Sequence, residues 1–417
     1  MKESKLLRFL DKYVGSIICL VFSGINKLRF KKKNKKIKNI LFIELFEMGA
    51  SIMSYPSLKY AKENVKNANL YCLTLKSMKG TWSLLGIIPE ENIYTIEEDN
   101  IFVFIRSMFS NIWKLRKKNI DLTIDFELFM RVSSIISYMI KSEYRAGFFR
   151  YEYEGLYRGN FMDFKCAFNQ NLHISKNFLA LTKTAIENQN EYPNYKSSIK
   201  ASELVLPKYV PNMRLRNIIK EKVKMQYPTY TNNKIIAVAH DVGENLRMRN
   251  YPHPKLASVI KMLISKYPNH LILLIGVKKD WQSGELIRKK VNEEHCLNFS
   301  GMTPRLAEFF ELLKMSEILI CNDNGPAHFA AITKTKTLAL FSTDSPFMYG
   351  PLGDSTVILY SYFHCSPCIS ATNSKQSKCK NNLCLQSIPP KQVYEFAVGI
   401  IEGKVQCGTI NGNSPYY

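Results

Sequence analysis

The 417-residue sequence predicts an α/β protein made of two doubly wound parallel-sheet domains facing one another across a cleft. Three observations predict it. The chain is longer than one ordinary hydrophobic core supports, so two domains are expected. A hydrophobic content of 46% against 22% charged residues is that of a folded protein rather than a disordered one. Continuous apolar runs of strand length alternate with helical stretches in two separate series, and such alternation builds parallel sheets buried on both faces.

The first series opens with Asn39 to Leu45 (NILFIEL), a run that suits a buried parallel strand. Phe46 to Ser51 (FEMGAS) is its loop, and Ile52 to Lys62 continues as a helix around Tyr55-Pro56. Leu70 to Leu75, Ile93 to Ile96 and Leu122 to Asp125 are the next strands. Composition turns to Asn, Tyr, Pro, Lys and Ser from Glu187 to Asn212, which reads as the linker region. A second series follows: Lys234 to His240 (KIIAVAH), a helix from Pro254 to Tyr267, Leu271 to Ile275, Glu317 to Cys321 and Thr337 to Phe341. The expected organisation is a separate segment over residues 1–36, domains over 37–205 and 206–398, and a tail over 399–417. No internal repeat of solenoid period is visible.

Lys and Arg number 58 against 35 Asp and Glu, a net charge of +23 that calls for anionic partners. The charge is concentrated in Lys27 to Lys38 (KLRFKKKNKKIK), directly after the amphipathic stretch Leu6 to Ile25. The uninterrupted apolar part, Val14 to Ser23, is shorter than the roughly 20 residues of a spanning helix. The stretch therefore reads as a helix lying in the membrane interface, its lysines against anionic headgroups. A helix packed on the protein, a true span and a secretory signal are the competing readings. Asp11 and Lys12 interrupt the apolar region, and no small-residue cleavage site precedes the basic run, which disfavours the signal. The remainder of the chain is then expected in the cytoplasm, peripheral on the inner face of the membrane. Nucleic acid is not an expected partner, because no zinc-finger, RNP or helix-turn-helix pattern accompanies the charge.

Ser316 to Pro351 is the most specific stretch. Glu317 to Cys321 (EILIC) is a strand, Asn322-Asp323-Asn324-Gly325-Pro326 a dense turn, and Pro326 suits the first position of a helix continued by Ala327, His328, Phe329, Ala330 and Ala331. Free N–H groups and a positive dipole end would then leave the carboxyl edge of a sheet, where a diphosphate binds well. The order Asp-x-Gly-Pro-x-His, a small-residue helix, a Thr-Leu-Ala-Leu-Phe strand and Tyr-Gly-Pro resembles the donor-site signature of the ADP-heptose:lipopolysaccharide heptosyltransferase family. These are inverting glycosyltransferases of the GT-B fold, with two Rossmann-like domains. The resemblance runs over roughly Lys38 to Val398 and is looser in the first half.

Sugar transfer from a nucleoside diphosphate needs charge stabilisation on the leaving phosphate and a base for the acceptor hydroxyl. The resemblance assigns the first to Asn324, Gly325, Pro326 and Ala327 at the helix start, with Asp323 and His328 beside them. Arg249, in LRMRNYP, matches the family's basic residue before an aromatic-Pro pair, and Arg247 is its neighbour. Gly276 would let the chain approach the nucleotide, and Asp280 would hold ribose hydroxyls, by analogy with acidic residues in Rossmann-type sites. The family's loop after the first strand ends in Gly-Asp, that Asp being the proposed base, whereas here Gly49 is followed by Ala50. Glu47 in the same loop is the first substitute and Glu44 the second. Asp125, Glu127 and Arg131, with Arg145, Tyr157 and Arg158, are candidates for recognising an acidic or phosphorylated acceptor, and any two of them for a structural ion pair.

Ten cysteines in so long a chain do not form a disulfide scaffold. Cys365, Cys368, Cys379 and Cys384 (CSPC, then CKNNLC) fit a structural zinc, free thiols or disulfides, and the reaction itself requires no cofactor. The expected partners are a nucleotide sugar, ADP-heptose by the resemblance, a lipid-linked or surface-glycan acceptor, and an anionic membrane surface. The alternatives are a protein that binds sugar nucleotides without turnover or acts as a scaffold at the membrane and, more remotely, a basic nucleic-acid-binding protein.

Overall fold

A computed structural model describes residues 5–28, 36–148, 157–189, 195–370, 373 and 377–411. Most of the basic run, residues 29–35, lies outside the described residues, as does part of the linker, residues 190–194. The chain divides into two compact units, Met1–Val205 and Leu206–Tyr417.

In the first unit six parallel strands, β1 (Asn39–Ile43), β2 (Asn69–Leu75), β3 (Ile93–Ile96), β4 (Leu122–Asp125), β5 (Tyr144–Phe148) and β6 (Phe164–Cys166), lie in the order β3-β2-β1-β4-β5-β6. Order reverses between β1 and β4, the switch point of a doubly wound sheet. The helices are α1 (Lys5–Asn26), α2 (Met48–Met53), α3 (Tyr55–Asn64), α4 (Lys79–Leu85), α5 (Ile101–Arg116), α6 (Arg131–Ile140) and α7 (Ile174–Ile186). Alternation along β1 divides the helices between the faces. Leu41, Ile43 and Leu45 meet Phe104, Met108 and Ile112 of α5 and Ile136 and Ile140 of α6. Phe42 stacks on Phe126, which meets Phe178 of α7 on the other side. The single helix expected over Ile52 to Lys62 is two, interrupted at Ser54, where Pro56 follows in the first turn of the second.

The second unit repeats the plan. Seven parallel strands, β7 (Ile235–Ala239), β8 (Leu271–Ile275), β9 (Cys296–Asn298), β10 (Ser316–Asn322), β11 (Thr337–Phe341), β12 (Thr356–Tyr360) and β13 (Ile410–Asn411), run β13-β12-β11-β10-β7-β8-β9. The switch point falls between β7 and β10. Around them lie α8 (Met213–Gln226), α9 (His253–Lys266), α10 (Trp281–Val291), α11 (Leu306–Met315), α12 (Gly325–Thr333), α13 (Pro346–Tyr349), α14 (Leu383–Gln386) and α15 (Pro390–Ile401). Its core joins β-strand residues such as Ile236, Leu274 and Leu340 to Ile260, Val393 and Ile400. The expected tail is partly structural: α15 runs to Ile401, and β13 adds to β12. Residues 412–417 lie outside the described residues.

The expected separate segment at the N-terminus is instead packed on the first unit. Helix α1 is long and apolar enough to cross a membrane by length and composition, yet it lies along α6. Asp11 accepts the amides of Arg131 and Val132, Ser23 contacts Tyr157 at 3.0 Å, and Arg145 donates to Asn26 at 2.8 Å. A Cβ on Gly15 would stand 2.8 Å from Cβ of Arg131, so glycine permits this close approach.

Candidate active site

The second unit gathers its candidate residues at the carboxyl edge of its sheet, on the loops after β7 and β10, which flank the switch point, and on the loop after β8. There Asn322 ends β10, and its side chain accepts the amide of Tyr251 at 2.9 Å. Asn324 precedes α12 in extended backbone (φ −156°, ψ 176°) and donates to the Asp241 carbonyl at 3.2 Å, tying the β10 loop to the β7 loop. Helix α12 then starts at Gly325, with Pro326 in its first turn and Ala327 and His328 buried. Its first turn, free of acidic side chains, presents backbone dipoles at the place where open α/β sheets bind ligands. Asp323 does not cap this helix, as a turn aspartate would ordinarily do, because Asn324 is the capping position.

Asp323 instead faces Arg249. The guanidinium Nε lies 3.5 Å from Asp323, and the other end pairs with Asp344. All three are largely buried, so the arginine is held between two carboxylates in a fixed orientation. Arg247, two residues earlier, is exposed. Sequence reasoning missed Asp344; its signal was a position just past the carboxyl end of β11, beside β10 in the sheet. Asp241, after β7, was missed for the same reason. It accepts from Gly243 N at 3.0 Å, Asn250 at 3.1 Å and Ser283 at 3.1 Å. Burial works against ionisation of Asp241, but these hydrogen bonds outweigh it and hold the carboxyl below its usual range. His240, also missed, is fully buried beside the Asp280 carbonyl and Ser283, and burial lowers its basicity.

Gly276 and Asp280 are adjacent, as expected, but Asp280 binds its own loop, accepting from Val277 N at 2.9 Å. A Cβ at Gly276 would fall 2.9 Å from that carboxylate, which explains glycine there. Burial pushes the Asp280 carboxyl up.

In the first unit the corresponding edge carries an acidic cluster that holds a loop. Glu44 is buried, accepting from Glu47 N at 3.0 Å and from Ser51 Oγ at 2.6 Å. Glu127 accepts from Leu45 N at 2.8 Å. Burial, with Glu44 beside it, drives the Glu127 carboxyl well above its usual range. Glu47 begins α2 from extended backbone and is only partly buried. Ala50, where the resemblance led one to expect a carboxylate, is buried inside α2. Glu44 is thus placed as a brace of the loop, while Glu47 is the carboxylate with partial access to solvent.

The candidates for acceptor recognition form an internal frame. Asp125 and Arg158 are a buried ion pair, with Ser133 donating to Asp125 at 3.1 Å and Arg158 Nε donating to Met130 O at 2.9 Å. Arg131 donates to Phe129 O at 2.9 Å and to Tyr157 O at 3.2 Å, with Asp11 nearby. Arg145 donates to Phe161 O at 2.9 Å and faces Asp163 at 3.8 Å. A desolvated arginine needs such partners, and these guanidiniums are turned inward.

The four clustered cysteines are free thiols, Cys365 and Cys379 exposed, Cys368 half-buried and Cys384 buried. Among the described residues no three His, Cys, Asp or Glu side chains are gathered to hold a metal. Burial pushes the Cys384 thiol up.

Comparison with known proteins agrees with this fold. The profile of glycosyltransferase family 9 (heptosyltransferase) matches residues 108–379. The chain is similar to lipooligosaccharide heptosyltransferase 2 of Haemophilus influenzae, 32% identical over 27% of this chain but only 32% of that protein, so the match spans about a third of its length. It is 23% identical to lipopolysaccharide heptosyltransferase 1 of Campylobacter coli over 72% of this chain and 83% of that one. Among solved structures, ADP-heptose lps heptosyltransferase II of E. coli superposes with a TM-score of 0.65 at 18% identity, covering 88% of this chain and 99% of that chain. Two Rossmann-like units, each with a switch point in its parallel sheet, together with the family match over most of the chain, lead to one conclusion: the protein belongs to glycosyltransferase family 9, the heptosyltransferase family.

Proposed function

We propose that the protein transfers a sugar, with inversion, from a nucleoside-diphosphate donor to a lipid-linked or lipopolysaccharide-type acceptor at the cytoplasmic face of a bacterial inner membrane. The observation that carries this reading is the start of α12 at the β7/β10 switch point, with Arg249 clasped beside it by Asp323 and Asp344. An ADP-linked heptose is the favoured donor, the ligand class named for the E. coli structure.

In this reading the acceptor oxygen attacks the anomeric carbon as the bond from that carbon to the diphosphate oxygen breaks. The acceptor proton passes to Glu47, and the negative charge grows on the departing nucleoside diphosphate. The amides of Asn324 and Gly325 at the helix start and the donors of Arg249 meet that charge, with His328 beside them; Ala327 N–H is turned back to Asn324 O at 3.2 Å, and Pro326 fixes the helix entry. Arg247 is exposed and long enough to add a second cation. Asn324 and Asp323 set the loop, Gly276 leaves room for the nucleotide, and Asp280 stands near the ribose. Asp125, Glu127, Arg131, Arg145, Tyr157 and Arg158 shape the acceptor surface from behind. No metal or cofactor is required by these steps.

A second reading is favoured by Ala50: a protein that binds sugar nucleotides without turning them over. The purified full-length chain, assayed with a panel of sugar nucleotides for both thermal stabilisation and release of nucleoside diphosphate in the presence of acceptor glycolipid, separates the two. Stabilisation with acceptor-dependent release supports the transferase. Stabilisation by a donor with no release for any acceptor supports the binder.

A further inference from the structure

Helix α1 is inverted relative to an ordinary surface helix, which points its apolar stripe at the core. Its one acidic residue, Asp11, and its Gly15, Cys19, Ser23 and Asn26 face the protein. Phe9, Tyr13, Ile17, Leu20, Val21 and Ile25 stand outward, each more than half exposed. Helix α5 carries a second such stripe. While Phe104, Met108, Ile112 and Leu115 fill the core, Phe102, Ile105, Phe109 and Trp113 recur at helical spacing on the outer side, with Phe102 81% and Trp113 59% exposed. Helices α5 and α1 both pack against α6. Exposed apolar stripes on this scale mark an interaction surface.

The charge around the stripes identifies the occupant. From Ile101 to Lys118 there are Arg106, Lys114, Arg116, Lys117 and Lys118 and no acidic residue. Lys117 Nζ sits 3.3 Å from the centroid of the Trp113 ring, leaving aromatic and cation side by side as at a membrane interface. Arg8 and Lys12 on α1 and Lys27 just after it flank the outward stripe, and the one carboxylate of α1 is turned inward. A second copy of this face would set like charges together, whereas anionic headgroups complement it.

We propose that α5 is a second foothold on an anionic bilayer, so that α1 and α5 together dock the first unit and fix its orientation, rather than α1 acting as a lone anchor. This rests on the membrane location given under Proposed function. Binding through two helices depends on both, because the second contact is intramolecular once the first has formed.

The test uses the full-length chain with vesicles of phosphatidylcholine alone or mixed with phosphatidylglycerol. Trp281→Phe leaves buried Trp82 and exposed Trp113 as the tryptophans. Trp113 emission is expected to shift to the blue and to be quenched by brominated lipid in anionic vesicles. The variant Phe102→Ser/Phe109→Ser/Trp113→Ser is expected to lose vesicle binding about tenfold or more while keeping the parent's circular dichroism and melting. If that variant binds like the parent and Trp113 is not quenched, while Ile17→Ser/Leu20→Ser/Val21→Ser abolishes binding, the α5 foothold is overturned and the membrane reading stands. A parent that binds no anionic vesicle overturns both. A dimer in sedimentation that the α5 substitutions dissolve, without vesicle binding, overturns the proposal in favour of a second copy.

Discussion

Asp11, on the N-terminal helix, accepts the backbone amides of Arg131 and Val132 at 3.0 and 2.9 Å, so a residue 120 positions upstream caps the first turn of α6. The same carboxylate lies 3.7 Å from the buried guanidinium of Arg131. Burial pushes the Asp11 carboxyl up in spite of the two amides, a sign of how far the contact is withdrawn from water.

Asp11→Ala is expected to destabilise the protein by about 1–3 kcal/mol, combining a lost cap with an arginine deprived of its counter-charge. Urea denaturation measures this. Deleting residues 1–36 should act in the same direction, since it also uncovers Phe161 and Tyr138, which Phe22 covers. Outward substitutions on α1 are therefore the cleaner probe of membrane binding, and an Asp11→Ala protein as stable as the parent would mean that the α1–α6 contact contributes nothing.

The Glu127 carboxyl, raised by burial and by Glu44, makes a signed prediction about pH. A group whose folded pKa lies above its unfolded value contributes stability in full below the unfolded carboxyl range and loses it as pH rises through the folded value. Glu127→Gln removes that titration and keeps an oxygen for Leu45 N–H. Its urea midpoint relative to the parent should therefore increase as pH rises from about 4.5 towards the folded value. A constant difference across pH 4 to 8 would place the ionisation elsewhere.

Arg249→Ala is expected to weaken nucleoside-diphosphate binding by about 1–3 kcal/mol in calorimetry, the scale of a hydrogen bond to a charged group. It also leaves Asp323 and Asp344 buried without their cation, so melting temperature should fall. Adding Asp344→Asn should recover stability without affinity. Recovery of both would make Arg249 a structural counter-ion only.

Glu47→Gln preserves size and helix start but cannot take a proton. Donor binding should survive while turnover falls by roughly 10²-fold or more. A variant that turns over like its parent would remove Glu47 from the proton path and direct attention to Glu44 and Glu127.

Much of the architecture was legible because parallel strands buried on both faces must be apolar throughout. Runs such as KIIAVAH, LILLI and TLALF therefore announce themselves. Short and charge-bearing strands were harder to see. FKC and CLN are three residues long, and YRAGF, between β4 and β6, has Arg145 as its second residue, a charge that is buried with Phe161 O and Asp163 as partners of its guanidinium. The turn at Asn324 to Pro326 was legible for a local reason, since capping and proline placement depend on neighbours in sequence.

The class, the periodic strands and the start of α12 are readable along the chain, because each rests on interactions within a few residues. Long-range packing settled which charges are available. It set Asp344 against Arg249, turned Arg131, Arg145 and Arg158 inward, braced the loop with Glu44 and Glu127, and folded Asp11 under α1 so that its apolar side faces out. A charged side chain has the same letter whether it is solvated or paired. The difference lies in desolvation by residues far away in the chain, and that is fixed only when the sheets and helices have packed.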